Sequence, residues 1–269
     1  MRSSRLAMFL GFVLLAIYLF ATAPQSLAES TSQGRELSTR ALFKILANEN
    51  DAAREVYTDE IVGAGKKIGL TFAEDWRQPN SSAGPLPALF LRNCASILHD
   101  SPHPLGLRLA SDQPIESSNR ISEADMDAFK IVRRARMPYM PSEVSRGLQM
   151  AMFPDIAVSQ SCVDCHNEHP KSQKTDWQVD DVMGVTIWTW PTERVSSHEV
   201  FVLMSVFREA VKQTYSEFLD KVKQRTDAPE IGAGWPSEAN SLPTPDQFLA
   251  KIIKRSSEKS LAILLEANR

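Results

Sequence analysis

Residues 162–190 read CVDCHNEHPKSQKTDWQVDDVMGVTIWTW. The stretch opens on Cys162, Cys165 and His166, the spacing C-x-x-C-H. Two thiols separated by two residues can be presented by one helical turn and can add across the two vinyl groups of a haem. A histidine beside them can then ligate the iron through its imidazole. At this chain's own composition a random match is expected about 6 × 10⁻⁴ times. The stretch closes on Val182 to Trp190, where Val185 and Ile187 alternate with Thr186, Trp188 and Trp190. Branched and aromatic residues in that order suit a strand. A tetrahedral zinc held by Cys162, Cys165, His166 and His169 is a second reading, although such sites usually draw one ligand pair from a separate segment. A thioredoxin-like redox pair is a third, but it normally opens a helix after a buried strand in a βαβ unit, and no such unit precedes Cys162.

Upstream, apolar residues at Leu37, Ala41, Ile45, Ala52, Val56 and Ile61 recur at helical spacing, and the Lys/Gly-rich run Gly63 to Gly69 is expected to end that helix. A loop at Gln78–Pro85 precedes a second helix over Leu86–Leu98, stopped by Pro102 and Pro104. Leu105–Leu109 reads as a short strand. Ser122, followed by Glu123 and Asp125, predicts an N-cap and a helix to about Arg136. Val144–Met152 and Ile156–Ser159 are expected as two strands. Downstream, Val200, Leu203, Met204, Phe207, Val211, Tyr215, Phe218 and Val222 mark an amphipathic helix. A Pro/Gly-rich segment, Pro229–Pro245, leads to a last helix from about Asp246. Helices around a small antiparallel sheet make the expected class α+β, with no internal repeat.

The N-terminus is of another kind. Arg2 and Arg5 precede LAMFLGFVLLAIYLFATA at residues 6–23, and Ser26-x-Ala28 offers a small-residue cleavage site. This is the pattern of a secretory signal peptide over residues 1–28, leaving a single domain at 29–269. An uncleaved membrane anchor is the rival, since the apolar run approaches a spanning length. Either reading exports the body of the chain, to the periplasm or the outer face of the inner membrane. The 269 residues carry a net charge of −3, and cleavage after Ala28 would remove two arginines and no acid, leaving −5. Nothing in that balance points to a nucleic-acid backbone as partner. Three cysteines are too few for a disulfide scaffold.

The motif continues beyond the cysteines as C-x-x-C-H-N-x-H-P-x-S-x-K-x-D-W-x-x-x-D-x-x-G, and GPLPALFLRN at 84–93 and LRLASDQPIESSNRISEADMDAFKIV at 107–132 accompany it. Together these resemble the Tll0287-like haem domain family, from about residue 36 to 225. The resemblance implies a PAS-like antiparallel sheet flanked by long helices and one covalent haem c, sometimes as the sensing module of a signalling protein. It implies Cys162 and Cys165 as the thioether positions and His166 as the proximal ligand. A family member carries a cysteine as sixth ligand. The corresponding segment here, Ala53-Arg54-Glu55-Val56-Tyr57, has none.

Candidates for the far side of the iron are therefore Cys94, the spare cysteine, and Tyr57, each set against ordinary core packing. Met137, Met140, Met150, Met152 and Met183 are packing residues that could also serve as soft ligands. His99, His103 and His198 read as surface residues and His169 as a polar or propionate-facing one. Lys171 and Lys174 are candidates for pairing with haem propionates. Trp177, Trp188 and Trp190 are candidate walls of the haem pocket. The function expected is a haem-based redox or small-ligand sensor, with a gaseous ligand and a redox or signalling protein as partners. A periplasmic electron carrier with six-coordinate haem is the alternative. A peroxidase would need a distal histidine and arginine that no cluster supplies, so the chain is read as a non-enzyme.

Overall fold

A computed structural model of the chain describes residues 36–141, 147–238 and 240–267. The leader and its cleavage site lie outside the described residues. Leu37–Arg269 form one compact unit.

The helix read from Leu37 begins at Thr39, where the Ser38 side chain accepts from the Ala41 N–H. Short strand β1 (Glu36–Ser38) leads into this helix, α1 (Thr39–Val56). Most faces of α1 are buried, so it runs through the centre rather than over a surface. It does not stop at Gly63. The chain continues through a π-helical stretch, Tyr57–Gly63, into α2 (Ala64–Lys67). The actual stop is Gly69, whose φ of +82° only glycine adopts freely.

Strands β2 (Phe72–Ala73) and β3 (Gly84–Pro85) form a two-residue parallel pair. Then come α3 (Pro87–His99) and β4 (Gly106–Ala110). Ser122 caps a 3₁₀ turn, Glu123–Asp125, that passes into α4 (Met126–Ala135). The two strands expected between 144 and 159 are one, β5 (Gln149–Ile156), and Ala157–Ser159 are irregular. Val144–Arg146 of that reading lie outside the described residues. Next come α5 (Gln160–Glu168), β6 (Val182–Trp190) and β7 (Arg194–Ser196), which pairs with β1. Helix α6 (Ser197–Val222) opens on a complete capping box, Ser196 with Glu199. A parallel pair, β8 (Glu230–Ile231) and β9 (Ser241–Leu242), precedes α7 (Pro245–Glu266).

The antiparallel sheet has the order β4-β6-β5. Alternation sends its two faces to different cores. Leu107, Ala151, Phe153, Trp188 and Trp190 face the main core with α1, α3, α6 and α7. Ala110, Met152, Val185 and Ile187 face α4 through Phe129 and Val132. The fold is α+β. Helices α1 and α7 run antiparallel, with Asn48 bonded to Ser260 (2.9 Å) while Glu60 meets Lys251 (3.1 Å). Between them and α6 lies Glu49, fully buried and held by the Arg208 guanidinium through both carboxylate oxygens.

Candidate functional site

Strand β5 delivers the chain to α5, and a close strand contact fixes how. A Cβ on Gly184 would stand 2.8 Å from the Ala110 carbonyl oxygen, so only glycine lets β6 approach β4 at this level. The register of β5 on β6 shifts here, between Asp155 and Ile156. The loop then folds back, with Ala157 donating to Asp181 O (2.9 Å) and accepting from Asp180 N (2.8 Å).

In α5, Cys162, Cys165 and His166 stand at i, i+3 and i+4. That spacing puts both sulfurs and the imidazole on one helical face. Neither thiol is in a disulfide; Cys162 is half-buried, and its sulfur is 3.2 Å from the Ser159 hydroxyl, while Cys165 is exposed. Residual burial, then the Glu74 carboxylate, hold the Cys165 thiol above its ordinary range. Desolvation, and next the neighbouring His169, push the His166 imidazole below its ordinary range, so it is neutral and able to ligate a metal at neutral pH.

A small separate core supports this helix: Ala157, Val163, Trp177 and Met183, with Cys162 packed against it. Trp177 is 5% exposed and meets His166 edge-on, ring centroids 6.5 Å apart. Asn167 holds it there, its amide donating to Trp177 O (3.0 Å) and accepting from Trp177 N (2.9 Å). That clamp joins a helix residue to a loop residue ten positions on, and nothing in the composition of the stretch signals it. Lys174 lies 4.6 Å from the centre of the Trp177 ring and is ion-paired with Asp176. His169 is committed on both nitrogens, Nε2 to Glu74 (3.1 Å) and Nδ1 to Lys171 N (3.1 Å). Glu74, beside β2, is thus a site neighbour that the sequence order hides.

The other candidates lie elsewhere. Cys94 is fully buried on α3 with its sulfur 3.4 Å from the Thr214 hydroxyl, in the main core. Tyr57 stacks on Phe90 at 4.1 Å and donates to Pro85 O at 2.7 Å, in the same core. Trp188 and Trp190 face that core too, so of the three tryptophans only Trp177 lies beside α5. Met183 belongs to the small core; Met150 and Met152 pack against α4, Met140 against the main core, and Met137 is exposed. His99 and His103 flank a surface cleft at Thr189, the far end of β6 from Met183. His198 is exposed at the start of α6.

The donor set fits a covalent haem c. Two free thiols and an imidazole share one helical face, and the His166 Nδ1 and Trp177 Nε1 atoms are buried with no protein partner. Among the described residues no cluster of three or more His, Cys, Asp or Glu side chains could hold a metal ion by itself. The four-ligand zinc reading gains no geometric support, since His169 is occupied by Glu74.

The model of the Tll0287-like family matches residues 34–191, ending one residue after β6, short of the resemblance read to about residue 225. Neither the curated proteins nor the solved structures contain a match to the chain. The matched segment spans more than half of the chain and carries the Cys162–His166 helix, the sheet and α1, and on that basis the chain belongs to the Tll0287-like family.

Proposed function

We propose that this chain is an exported c-type haem protein that senses redox state or a small ligand. Cys162 and Cys165 hold one haem through thioether bonds and His166 binds its iron. The observation that carries this reading is the single helical face of α5, with two free thiols and an imidazole whose buried Nδ1 lacks a protein partner. Bound there, the group supplies an iron that exchanges an electron or takes a small ligand. Trp177 shields the imidazole from water with its ring edge, and the Asn167 clamp keeps that ring in place. The Glu74–His169 pair ties the end of α5 to the segment after α2.

Sensing is favoured over electron carriage because Cys94 and Tyr57 are committed to the main core. A sheet with helices on both faces is compatible with the PAS-like architecture the family resemblance implies. The basic and apolar start at residues 1–23 supports periplasmic placement, by cleavage or by anchoring. No helix among the described residues is long and apolar enough to cross a membrane. A redox or signalling protein would read the state of the iron, since the chain is proposed as a non-enzyme.

The test is the absorption and EPR spectrum of the holoprotein, oxidised and reduced, before and after NO or CO. A spectrum that shifts with ligand supports sensing. A low-spin spectrum indifferent to both gases, with fast reversible electron exchange, supports the carrier instead. Lack of covalent haem in the wild type, where Cys162→Ser/Cys165→Ser serves as the blank, would overturn the haem reading itself.

A further inference from the structure

Helix α3 ends on His99, and the loop that follows carries a second histidine, His103. Both line one surface cleft of about 300 Å³, together with Ser101 and with Thr189 of β6. The loop is held in place. Pro102 and Pro104 restrict the backbone on either side of His103. The Ser101 hydroxyl accepts from the His103 N–H (3.4 Å), and Leu105, 2% exposed, fixes the far end of the loop in the main core. Gly106 forms the floor. A Cβ there would stand 2.1 Å from the Thr189 hydroxyl oxygen, so the Thr189 side chain lies across the space a larger residue would fill. His99 is exposed and His103 half-buried, and among the described residues neither imidazole has a hydrogen-bonding or charged partner. His169, by contrast, uses both ring nitrogens.

The electrostatics of the cleft favour a cation. Neither it nor the adjoining hollow of about 550 Å³, which shares Ser101, Pro102 and His103, is lined by a lysine or an arginine. Asp100 and Glu209 border that second hollow. The loop also leaves the C-terminal end of α3, which carries a partial negative charge. An anion would meet two carboxylates and the negative end of a helix. Magnesium and calcium prefer oxygen ligands, whereas imidazole nitrogen suits zinc, copper and nickel. We propose that His99 and His103 bind one divalent ion of this transition-metal class, with water completing its coordination. Two protein ligands leave the ion exchangeable, unlike a closed structural site with four. Thr189 lies six residues along β6 from Met183 of the small core, about 20 Å at strand spacing, so this ion is separate from the group held by α5.

The experiment titrates zinc chloride by calorimetry into tag-free full-length holoprotein and into the Cys162→Ser/Cys165→Ser chain, whose missing thiols cannot compete for the ion. One zinc ion should bind saturably to each. His99→Gln and His103→Gln should each weaken that binding by at least about tenfold, since each removes a ligand rather than a residue behind one. His198→Gln, at the start of α6, should change nothing. Zinc should also protect His99 and His103 together from diethyl pyrocarbonate, read by peptide mass, in both chains with the two histidines intact, so that the answer does not depend on how the glutamine variants fold. Absence of saturable binding overturns the proposal. So do two ions that are each lost with one histidine alone, and so does protection of neither histidine or of only one. Absence of haem from the wild type would strike the haem reading alone, and the double-serine chain would still decide this one.

Discussion

Single residues separate the main core chemically from the small core under α5. Burial, partly offset by the Thr214 hydroxyl, pushes the Cys94 thiol from an ordinary 9.0 to about 12. At pH 8 its thiolate fraction is then about 10⁻⁴, so Cys94 should resist a thiol reagent in the native haem-free chain and react only on unfolding, whereas exposed Cys165 should react at once. Counting labelled sulfurs with and without denaturant checks this. For the same reason Cys94→Ala should leave the absorption and EPR spectra of the holoprotein unchanged. A changed spectrum would place Cys94 at the iron after all. Asn167→Ala should leave haem attached and make the Trp177 fluorescence more accessible to quencher, because the clamp is lost and the thiols are not. The C-x-x-C-H spacing was legible in the sequence because it lies within five consecutive residues of one helical turn. The fate of Cys94 and Tyr57 was not, because a buried thiol and a ligating thiol have the same one-letter signature and differ only in what lies opposite.

Among the elements, α1 carries the most consequence. The buried Glu49–Arg208 pair joins it to α6, and replacing Glu49 with Ala strands a guanidinium in the helix bundle. The expected loss is about 3 kcal/mol in urea unfolding, at the low end for a buried pair because Arg208 keeps 26% side-chain exposure. The double change Glu49→Leu with Arg208→Leu should recover most of it. Ser196→Ala, which removes the α6 cap, should cost about 1 kcal/mol. Helices with a regular apolar stripe were read nearly to the residue, as for α3, α6 and α7. The misread end of α1 has a physical cause. Gly63 and Gly65 suggest a break, but Ile61, Val62 and Leu70 are buried in the main core, and packing carries the helix over both glycines through a π-helical stretch. Likewise β5 continues through Pro154 because its whole length pairs with β6.

For the whole molecule, the buried acids of the main core set the alkaline limit. Tyr57 and Tyr215 are held well above an ordinary 10.0 by desolvation, as Cys94 is above 9.0. Each group keeps its proton longer in the folded than in the unfolded chain. The unfolded chain therefore binds fewer protons above about pH 9, and stability must fall as the pH rises from there. Denaturant midpoints from pH 8 to 11 should decline steadily, and Cys94→Ala should flatten the first part of the decline. An unchanged midpoint to pH 11 would contradict the buried placement of all three groups. By itself the sequence determined the α+β class, the family, and the helical turn that offers two sulfurs and a histidine. Periodicity, capping and thioether spacing act over a few residues and are written in order along the chain. Only the tertiary structure decided that the thiols sit over a small core of their own, that Glu74 secures His169, and that Arg54 of α1 meets Asp155 of β5. The last two join residues 95 and 101 positions apart, and burial and side-chain pairing across the fold are properties of a packed interior, absent from any local stretch of chain.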